Sequence, residues 1–285
     1  MHDSGIDRLA GFLSTYRRVL VLTGAGCSTE SGIPDYRDHN GEWKHPRPVM
    51  YQQFVGNDAV RRRYWARSLV GWQRIAEAAP NRAHVVLARL EAAGHVHAVV
   101  TQNVDGLHTR AGSRRVIDLH GRLDTVQCLG CGALSGRADF QTRLAARNPR
   151  LARATLRAIA PDGDAALANV DYAAVDVPPC DHCGGILKPH VVFFGEGVPP
   201  ARVDAAFAAL AEADALLVVG SSLMVFSGYR FAQAAARACK PIAAINLGRT
   251  RADDVIAVRV SASCGDALAA VDARLLRAIE PTMDS

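Results

Sequence analysis

The order of apolar and polar positions divides much of the chain into short buried strands and amphipathic helices. Apolar residues recur at helical spacing from Ile6 to Tyr16, which predicts a first helix over about residues 5–17. An apolar run then begins at Val19 and ends in a glycine-rich turn, as a buried parallel strand does. The pattern returns as strands at Val96–Thr101, Ala215–Gly220 and Ile242–Asn246, and as helical stretches at 82–93, 202–212 and 229–239. This alternation predicts an α/β fold with a doubly wound parallel sheet.

Two stretches do not follow this alternation. Residues 46–80 are rich in arginine and aromatic residues and are predicted to form a helical insertion belonging to a small domain. Residues 126–188 have few strong strand patterns but contain two C-x-x-C pairs, so they are predicted to form a separate metal-binding lobe. The Rossmann-like sheet domain would then comprise residues 1–45, 81–125 and 189–285.

Composition narrows the class of protein. The 285 residues are 49% hydrophobic, enough for one substantial core and a small lobe. The net charge of +5 is modest and dispersed, so we prefer a solvated basic surface to direct nucleic-acid binding. No apolar run suits a membrane span, and the mixed charges at the start of the chain are unlike a signal peptide. Seven cysteines favour an intracellular metal site over a secreted disulfide framework, and the expected location is the cytoplasm, in a bacterium by the abundance of alanine and arginine.

The turn after the first strand has the glycines that a phosphate-binding loop needs. Gly24 and Gly26 allow a tight turn that approaches a pyrophosphate, and Gly32 follows further on. This spacing misses the dehydrogenase fingerprint G-x-G-x-x-G, and an ordinary turn explains the glycines equally well. Small polar residues also follow three other strands, at Thr101-Gln102-Asn103-Val104-Asp105, Gly220-Ser221-Ser222 and Asn246-Leu247-Gly248. Because open α/β sheets bind ligands beyond the carboxyl ends of their strands, these segments together predict a nucleotide site.

Two cysteine knuckles predict a metal site. Cys128 and Cys131 form one C-x-x-C pair, and Cys180 and Cys183 form the second. Four thiolates close a tetrahedral shell around zinc and leave no position for a reacting water, so the predicted site is structural. Redox dithiols or two disulfides are the alternatives. The gap between the pairs is longer than the usual ~15–20 residues, which requires an inserted loop at about 136–178.

In this order, the segments resemble the sirtuins, a family of NAD-dependent protein deacylases. The matching motifs are Gly24-Ala25-Gly26-x-Ser28, Gly32-Ile33-Pro34-Asp35-Tyr36-Arg37, Thr101-Gln102-Asn103-Val104-Asp105, Leu119-His120-Gly121, the four cysteines, Val191-Val192-Phe193-Phe194-Gly195-Glu196 and Gly220-Ser221-Ser222. Further segments resemble the class II branch, whose mitochondrial members are linked to lipoamidase, deacetylase and ADP-ribosyltransferase activities. They are Arg63-Tyr64-Trp65-Ala66-Arg67, Ala160-Pro161-Asp162-Gly163-Asp164, Leu187-Lys188-Pro189-His190, Ser227-Gly228-Tyr229-Arg230 and Arg249-Thr250-Arg251-Ala252-Asp253-Asp254.

The resemblance implies NAD as co-substrate, one structural zinc ion and a set of catalytic residues. Asn103 and Asp105 would hold the nicotinamide amide beside Ile33, so that the acyl oxygen of a modified lysine attacks C1′ as nicotinamide leaves. His120 would be the general base on the ribose hydroxyls, a role that suits a residue with an unperturbed pKa of about 6.5. From the residues alone, a structural histidine is the alternative. The implied products are free lysine, nicotinamide and 2′-O-acyl-ADP-ribose.

The family pattern also implies the remaining cofactor contacts. The residues are Gly24, Ala25, Gly26, Ser28, Ile33, Asp35, Tyr36, Arg37, Gln102, Asn103, Val104, Asp105, Gly220, Ser221, Ser222, Asn246, Leu247, Gly248 and Cys264. Ser221 and Asn246 would bind riboses or phosphate, and Cys264 would border the adenine. For the side chain of Cys264, a small buried core residue is the alternative interpretation.

The substrate, an acylated lysine on a protein, is expected to bind as an added strand beside the Val191–Glu196 segment. The residues implied for this substrate are Val191, Val192, Phe193, Gly195 and Glu196, the first three around an apolar acyl tunnel. The alternative is that they are only buried strand residues. Part of the 136–178 insertion is also predicted to reach the tunnel.

Tyr64 and Arg67 suggest which acyl group is preferred. They stand three apart, so on a helix they share one face. In another sirtuin class a Tyr-x-x-Arg pair recognises the carboxylate of succinyl-lysine, and an arginine could pair bidentately with an acidic acyl chain. The hypothesis is therefore a preference for longer or carboxylated acyl groups over acetyl. A solvated basic face is the alternative, because residues 61–67 contain four arginines.

The predicted function is an NAD-dependent protein lysine deacylase that acts as a monomer. Protein mono-ADP-ribosyl transfer is the second hypothesis, because it shares the cleavage of nicotinamide. A non-catalytic NAD-sensing or DNA-binding zinc protein is the third, since zinc ribbons also occur in nucleic-acid binders. The presence of His120 together with Asn103 and Asp105 argues against the third, because a pure binder needs no base there.

Overall fold

The computed structural model describes residues 2–44, 48–154, 158–167 and 170–279 of the chain. The strands are β1 (Val19–Thr23), β2 (Val96–Thr101), β3 (Val116–Asp118), β4 (Gly121–Cys128), β5 (Leu134–Gly136), β6 (Ala158–Ile159), β7 (Ala165–Ala166), β8 (Leu187–Val191), β9 (Ala215–Val219), β10 (Ile242–Ile245) and β11 (Val258–Val260). The α-helices are α1 (His2–Thr15), α2 (Tyr51–Gly56), α3 (Asp58–Glu77), α4 (Arg82–Ala92), α5 (Leu107–Arg110), α6 (Arg137–Arg147), α7 (Pro200–Glu212), α8 (Phe226–Arg237) and α9 (Cys264–Ile279).

A six-stranded parallel sheet has the order β11-β10-β9-β1-β2-β3. At its centre, Val21 of β1 pairs with Val99 of β2 and Leu217 of β9. Val21 packs in a core with α1, α4 and α9, whereas the neighbouring Leu20 packs in a second core with α7 and α8. Because helices cover both faces, every residue of β1 is buried, which explains its continuous apolar run. The predicted Rossmann-like doubly wound sheet is confirmed. We call these six strands with α1, α4, α7, α8 and α9 the sheet region.

Local signals explain where several helices begin. The Asn81 side chain accepts hydrogen bonds from the backbone N–H groups of Ala83 and His84, which caps the first turn of α4. Asn57 caps α3 in the same way. Pro200 occupies the first turn of α7, where its missing N–H leaves no helical hydrogen bond unmade.

The elements α2, α3, α6 and β4–β8 form what we call the small region. Strands β5, β4 and β8 make an antiparallel sheet, and β6 pairs with β7 inside the predicted insertion. The core of this region contains aromatic rings among its aliphatic side chains, and the rings of Trp65 and Phe140 are centred 4.4 Å apart. Gly71 of α3 allows the insertion to approach closely, because a β carbon there would lie 1.9 Å from the carbonyl oxygen of Gly163.

The structure adds two short edge strands, β3 and β11, that the apolar pattern does not predict. It ends β9 at Val219 and β10 at Ile245, one residue earlier than the sequence pattern suggests. One hydrophobic core joins residues from the predicted 46–80 insertion to residues from the predicted 126–188 lobe. No observation tests the predicted domain limits, which remain predictions. Within them, residues 1, 45–47, 155–157, 168–169 and 280–285 lie outside the described residues. Of the described helices, none combines the length and the apolar character that a membrane span requires.

Candidate functional site

A cavity of about 760 Å³ opens at the carboxyl ends of β1, β2, β9 and β10 and extends to the small region. The floor of this cavity is formed by glycine residues at positions where a side chain would lie too close to the neighbouring loop. A β carbon on Gly24 would lie 2.8 Å from Cβ of Ser221, and one on Gly26 would lie 3.0 Å from the carbonyl oxygen of Gly220. Gly220 itself has a φ of +60°, which favours glycine. The two loops therefore meet backbone to backbone, and leave space for a ligand above them.

The structure brings all the residues predicted for the cofactor to this one cavity. They are Gly24, Ala25, Gly26, Ser28, Ile33, Asp35, Tyr36, Arg37, Gln102, Asn103, Val104, Asp105, Gly220, Ser221, Ser222, Asn246, Leu247, Gly248 and Cys264. They come from segments more than 200 residues apart in the chain, which the parallel sheet places along one edge. The individual roles of these residues stay predictions.

A chain of polar contacts fixes one end of the cavity. The Asn103 side-chain amide donates to the Gly24 carbonyl (3.0 Å) and to Oγ of Ser28 (2.9 Å). Ser28 in turn donates to Oδ2 of Asp105 at 2.7 Å. The other carboxylate oxygen of Asp105 accepts from the N–H of Leu107 at 2.9 Å, which begins α5. Ser28 and Asn103 are buried, so the network holds its donors and acceptors in fixed directions.

His120 lies in the loop between β3 and β4 and faces the same cavity. Its Nδ1 is 2.9 Å from the carbonyl oxygen of Gln102, which can only accept, so Nδ1 carries the proton of the neutral ring. Nε2 then has the free lone pair, 2.8 Å from Oγ of Ser227. Burial lowers the pKa of His120 to about 4. The ring is therefore a neutral base near pH 7, with its basic nitrogen directed by a backbone carbonyl.

The apolar end of the cavity is built from the small region and the segment after β8. Val191, Val192, Phe193, Gly195 and Glu196 all line it. Tyr64 of α3 also lines it, with its ring centre 5.2 Å from that of Phe193. From the insertion, Pro161 and Asp162 line the same cavity. Part of the 136–178 stretch therefore reaches the cavity, and its place at an acyl tunnel stays a prediction.

Two of the predicted substrate residues have other partners. The guanidinium group of Arg67 is 2.8 Å from the Asp164 carboxylate and 2.7 Å from the Ala165 carbonyl, so it ties α3 to the insertion and is not among the residues that line the cavity. Helical spacing places Arg67 on the face of Tyr64, but the insertion offers it an acidic partner outside the cavity. Glu196 accepts from Nζ of Lys188 (3.0 Å) and from the N–H of Phe193 (2.8 Å), so it holds the turn at this end of the cavity.

The cavity also includes residues that the sequence predictions did not assign. The lining includes Ser227 and Arg230 of α8, Met224 before that helix, and Trp43. Single serine, methionine and tryptophan residues have no distinctive spacing. One sequence feature does indicate two of them: the segment Ser227-Gly228-Tyr229-Arg230, which resembles the class II branch, contains Ser227 and Arg230.

The four predicted metal ligands, Cys128, Cys131, Cys180 and Cys183, form one cluster. Sγ of Cys128 lies 3.5 Å from that of Cys183, and Sγ of Cys131 lies 3.8 Å from that of Cys180. These distances fit a tetrahedral zinc ion, for which Zn–S bonds of about 2.3 Å place the sulfurs roughly 3.8 Å apart, and they exceed a disulfide bond of about 2 Å. The cluster therefore fits a structural zinc ion.

An α/β sheet with a nucleotide-type cavity at its strand ends, beside a four-cysteine cluster, defines a nucleotide-binding protein with a structural metal. A model of the Sir2 family matches residues 24–227. The chain belongs to this family, as its motifs predict.

Similar proteins agree with this assignment. An NAD-dependent protein deacetylase of Xanthomonas axonopodis pv. citri (strain 306) is 59% identical over 261 residues, which cover 92% of this chain and 89% of that protein. The mitochondrial NAD-dependent protein lipoamidase sirtuin-4 of Bos taurus is 46% identical, with 94% and 86% covered. A solved structure of Sir2 with a p53 peptide and NAD⁺ covers 97% of this chain and 99% of that one, at 29% identity and a TM-score of 0.75. The predictions of NAD as co-substrate and of one zinc ion accord with these findings and with the cysteine cluster.

Proposed function

We propose that this protein is an NAD-dependent protein lysine deacylase that produces nicotinamide and 2′-O-acyl-ADP-ribose. The observation that carries the proposal is the geometry of His120. Its neutral ring presents Nε2 to the same cavity that contains the Asn103–Ser28–Asp105 network. A nucleotide-binding protein without catalysis has no need of a base held in this tautomer.

The residues have separate tasks in this reaction. Bound NAD would supply the ribose carbon from which nicotinamide leaves and to which the acyl oxygen adds. Asn103 and Asp105 would orient the nicotinamide amide, and their mutual link through Ser28 keeps both side chains in place. His120 would accept a ribose hydroxyl proton at Nε2, where the Ser227 hydroxyl now donates. The carbonyl of Gln102 would stabilise the resulting imidazolium at Nδ1.

The acyl group that fits best is neutral and elongated. Tyr64 and Phe193 give the far end of the cavity an aromatic wall, and Pro161 of the insertion also lines the cavity. Asp162 also lines this end, and burial together with Asp162 raises the pKa of Tyr64 well above its usual range. The Asp162 carboxylate would repel a carboxylated acyl chain that approaches this end of the cavity. The relative named as a lipoamidase supports the inclusion of lipoyl-lysine among the substrates.

Peptides that carry the acylated lysine are the proposed partners, as in the solved Sir2 complex with a p53 peptide. The zinc ion would be structural, because the four cysteines fill its coordination shell. A monomeric state, the absence of direct nucleic-acid binding and a cytoplasmic location remain predictions from the sequence.

The test is mass spectrometry of purified protein with NAD and matched peptides that carry acetyl-, lipoyl-, succinyl- or glutaryl-lysine. We expect deacylated peptide with equal amounts of nicotinamide and O-acyl-ADP-ribose. Acetyl and lipoyl peptides should react at least about tenfold faster than succinyl and glutaryl peptides, a difference of about 1.4 kcal/mol in transition-state free energy. Faster removal of succinyl or glutaryl would reject the acyl preference but keep the deacylase. Nicotinamide release with ADP-ribose on protein would favour the transferase instead.

A further inference from the structure

Beneath the glycine loop, three side chains that commonly bind metals lie together in the interior. They are Cys27 of the turn after β1, His84 of α4 and His108 of α5, and their donor atoms lie within 4.8 Å of one another. Their exposed fractions are 1%, 0% and 2%. The neighbours of Cys27 in sequence, Gly26 and Ser28, line the cavity, whereas Cys27 packs into the core shared with α4 and α9.

In each of the two histidines, one ring nitrogen has a hydrogen-bond partner and the other has none among the described residues. Nε2 of His108 lies 2.9 Å from Oγ1 of Thr23. Nδ1 of His84 lies 3.0 Å from Oδ1 of Asn81 and 3.2 Å from the backbone nitrogen of Asn81. The remaining nitrogens, Nδ1 of His108 and Nε2 of His84, have no hydrogen-bond partner among the described residues, although both are buried. An ion at Nε2 of His84 requires the tautomer in which Nδ1 donates to Oδ1 of Asn81, and the outer partners then fix both rings as they do in metal-binding histidines.

We propose that Cys27, His84 and His108 form a binding site for one cuprous ion. Binding would form Cu–S and Cu–N bonds and release the thiol proton of Cys27 to solvent. The complex of Cu(I), one thiolate and two neutral imidazoles has no net charge, which suits a buried site. Zn²⁺ would leave one uncompensated positive charge and would require a fourth ligand. A thiolate is also a soft ligand that selects Cu(I).

The site requires only a small contraction. Bonds of about 2.0–2.3 Å to one ion bring trigonal ligands to roughly 3.5–4 Å of one another, so donors now within 4.8 Å need to approach by about 1 Å or less.

Occupancy would connect the glycine loop to the helices beneath the cavity. The Cys27 carbonyl already accepts from the Asn81 side chain at 2.8 Å, just before α4. His108 belongs to α5, whose first N–H, that of Leu107, is bonded to Asp105. An ion bound between Cys27 and His108 would therefore restrain both the loop at Gly26 and the helix below Asp105. We expect a changed KM for NAD in the copper-loaded protein.

The test begins with zinc-loaded protein, titrated without oxygen with Cu(I) at concentrations buffered by a chelator, and both metals are counted. We expect one copper and one zinc per chain. Cys27→Ala should retain the zinc, and its affinity for copper should fall by more than about 100-fold, since loss of an outer partner alone costs 10–100-fold. Cys239→Ala, which removes an exposed cysteine outside both clusters, should bind copper as the wild type does.

Several outcomes would overturn the proposal. Equal copper binding by the wild type and Cys27→Ala is one, and copper uptake only as zinc leaves is another. Uptake of a second zinc without any copper would reject the assignment of the ion. If Cys27→Ala and the second variant, Cys27→Ser, both lose their zinc or their fold, the proposal is tested by X-ray absorption spectroscopy of the copper-loaded wild type. We expect one sulfur and two nitrogens around copper, and a coordination shell of sulfur alone would contradict the proposal.

Discussion

The sheet region and the small region reach burial through different chemistry. The central strand β1 is completely buried and contains only aliphatic residues before Thr23. The small region instead buries aromatic rings together with charged side chains. Arg137 and Lys188 have exposed fractions of only 1% and 3%. An aliphatic core is stable when its side chains have the right total volume and hydrophobic pattern. The core of the small region also requires a hydrogen-bond or ion-pair partner for each buried polar group.

The contacts of these two cations show what the small region requires. Arg137 donates to the carbonyl and hydroxyl oxygens of Ser68 and lies 5.1 Å from the centre of the Trp72 ring. Lys188 donates to Glu196 and to the carbonyl of Val191. Together with the four-cysteine cluster, these contacts add to the aliphatic packing of the small region. The two regions should therefore respond differently to loss of metal, charge or protons.

The largest expected effect is the loss of zinc. Cys180→Ala should release the ion and unfold part of the small region, because zinc contributes an apparent ~10–16 kcal/mol to the folding of small zinc domains. The sheet region should stay folded, since its cores are separate from the cluster. Limited proteolysis with mass spectrometry should find new cleavages within residues 126–188, and few in the parallel strands.

The matched control for zinc loss is Cys239→Ala, which removes an exposed cysteine and should leave both the zinc content and the cleavage pattern unchanged. Equal cleavage of both regions in Cys180→Ala would contradict the contrast between them. It would mean that the two regions unfold as one unit.

The second effect concerns the residue that lies where the two regions meet. His120→Ala should reduce kcat for deacylation by about 10²–10⁴-fold, the usual contribution of a general base. The free energy of unfolding should change by less than about 1–2 kcal/mol, because the side chain makes two hydrogen bonds. Steady-state kinetics and urea denaturation measure the two quantities. His190→Ala is the control, since His190 contacts Arg202 outside the residues that line the cavity, and activity near the wild-type level is expected there.

The same contrast decides how much of the fold could be predicted from the sequence. Strand β2 has the predicted limits, Val96–Thr101, because a strand that is buried on both faces is mainly apolar, and only the half-buried His97 interrupts its apolar residues before Thr101. The edge strand Val116–Asp118 was not predicted, since it has three residues and all three are half-buried. In the small region, strand β8 contains Lys188 and Pro189, so its pattern is unlike that of a buried strand.

For the site, the loops that follow parallel strands could be predicted, and the long-range partners of side chains could not. Strand order places Gly24, Asn103 and Ser221 at one edge, and each follows a recognisable apolar run. Helical spacing correctly places Tyr64 and Arg67 on α3, but only the fold shows that Asp164 takes the guanidinium of Arg67. The role of Ser227 beside His120 depends on residues 107 positions apart, which no local pattern indicates.

The third effect tests the buried charge of the small region. Arg137→Ala should lower the free energy of unfolding by about 3 kcal/mol, because it leaves a cavity among aromatic rings and unpaired oxygens at Ser68. Arg137→Met should be less harmful, since an apolar side chain of similar length refills the volume. Arg143→Ala on the same helix is the control. Its partly exposed pair with Asp181 should cost less than about 1 kcal/mol. Urea denaturation measures the free energy of unfolding of all three variants. Equal losses in Arg137→Ala and Arg143→Ala would contradict the special role of the buried charge.

The fourth effect is the response of His120 to acid. Its pKa is lowered by burial to about 4 from an unfolded value near 6.5, so the unfolded chain binds the proton first as the pH falls. The stabilising contribution is complete above about pH 6.5 and decreases as the pH falls from 6.5 to 4. Compared with His120→Asn, which does not titrate, the wild type should lose about 2 kcal/mol between pH 7 and pH 5. Urea denaturation at both pH values measures this, and parallel curves for the two proteins would show that His120 titrates normally.

The smallest effect concerns Arg67. Its side chain either recognises the carboxylate of an acidic acyl group or only attaches α3 to the insertion. Its guanidinium contacts Asp164 and Ala165, so Arg67→Ala should loosen the insertion and lower stability by about 1 kcal/mol or less, as its side chain is 26% exposed. The ratio of succinyl to acetyl turnover should change by less than about twofold, because no carboxylate contact is lost. A matched peptide panel measures this ratio, with Tyr64→Phe as the control that keeps the aromatic wall of the cavity. A selective loss of succinyl turnover in Arg67→Ala would restore carboxylate recognition, and would mean that the insertion moves aside when substrate binds.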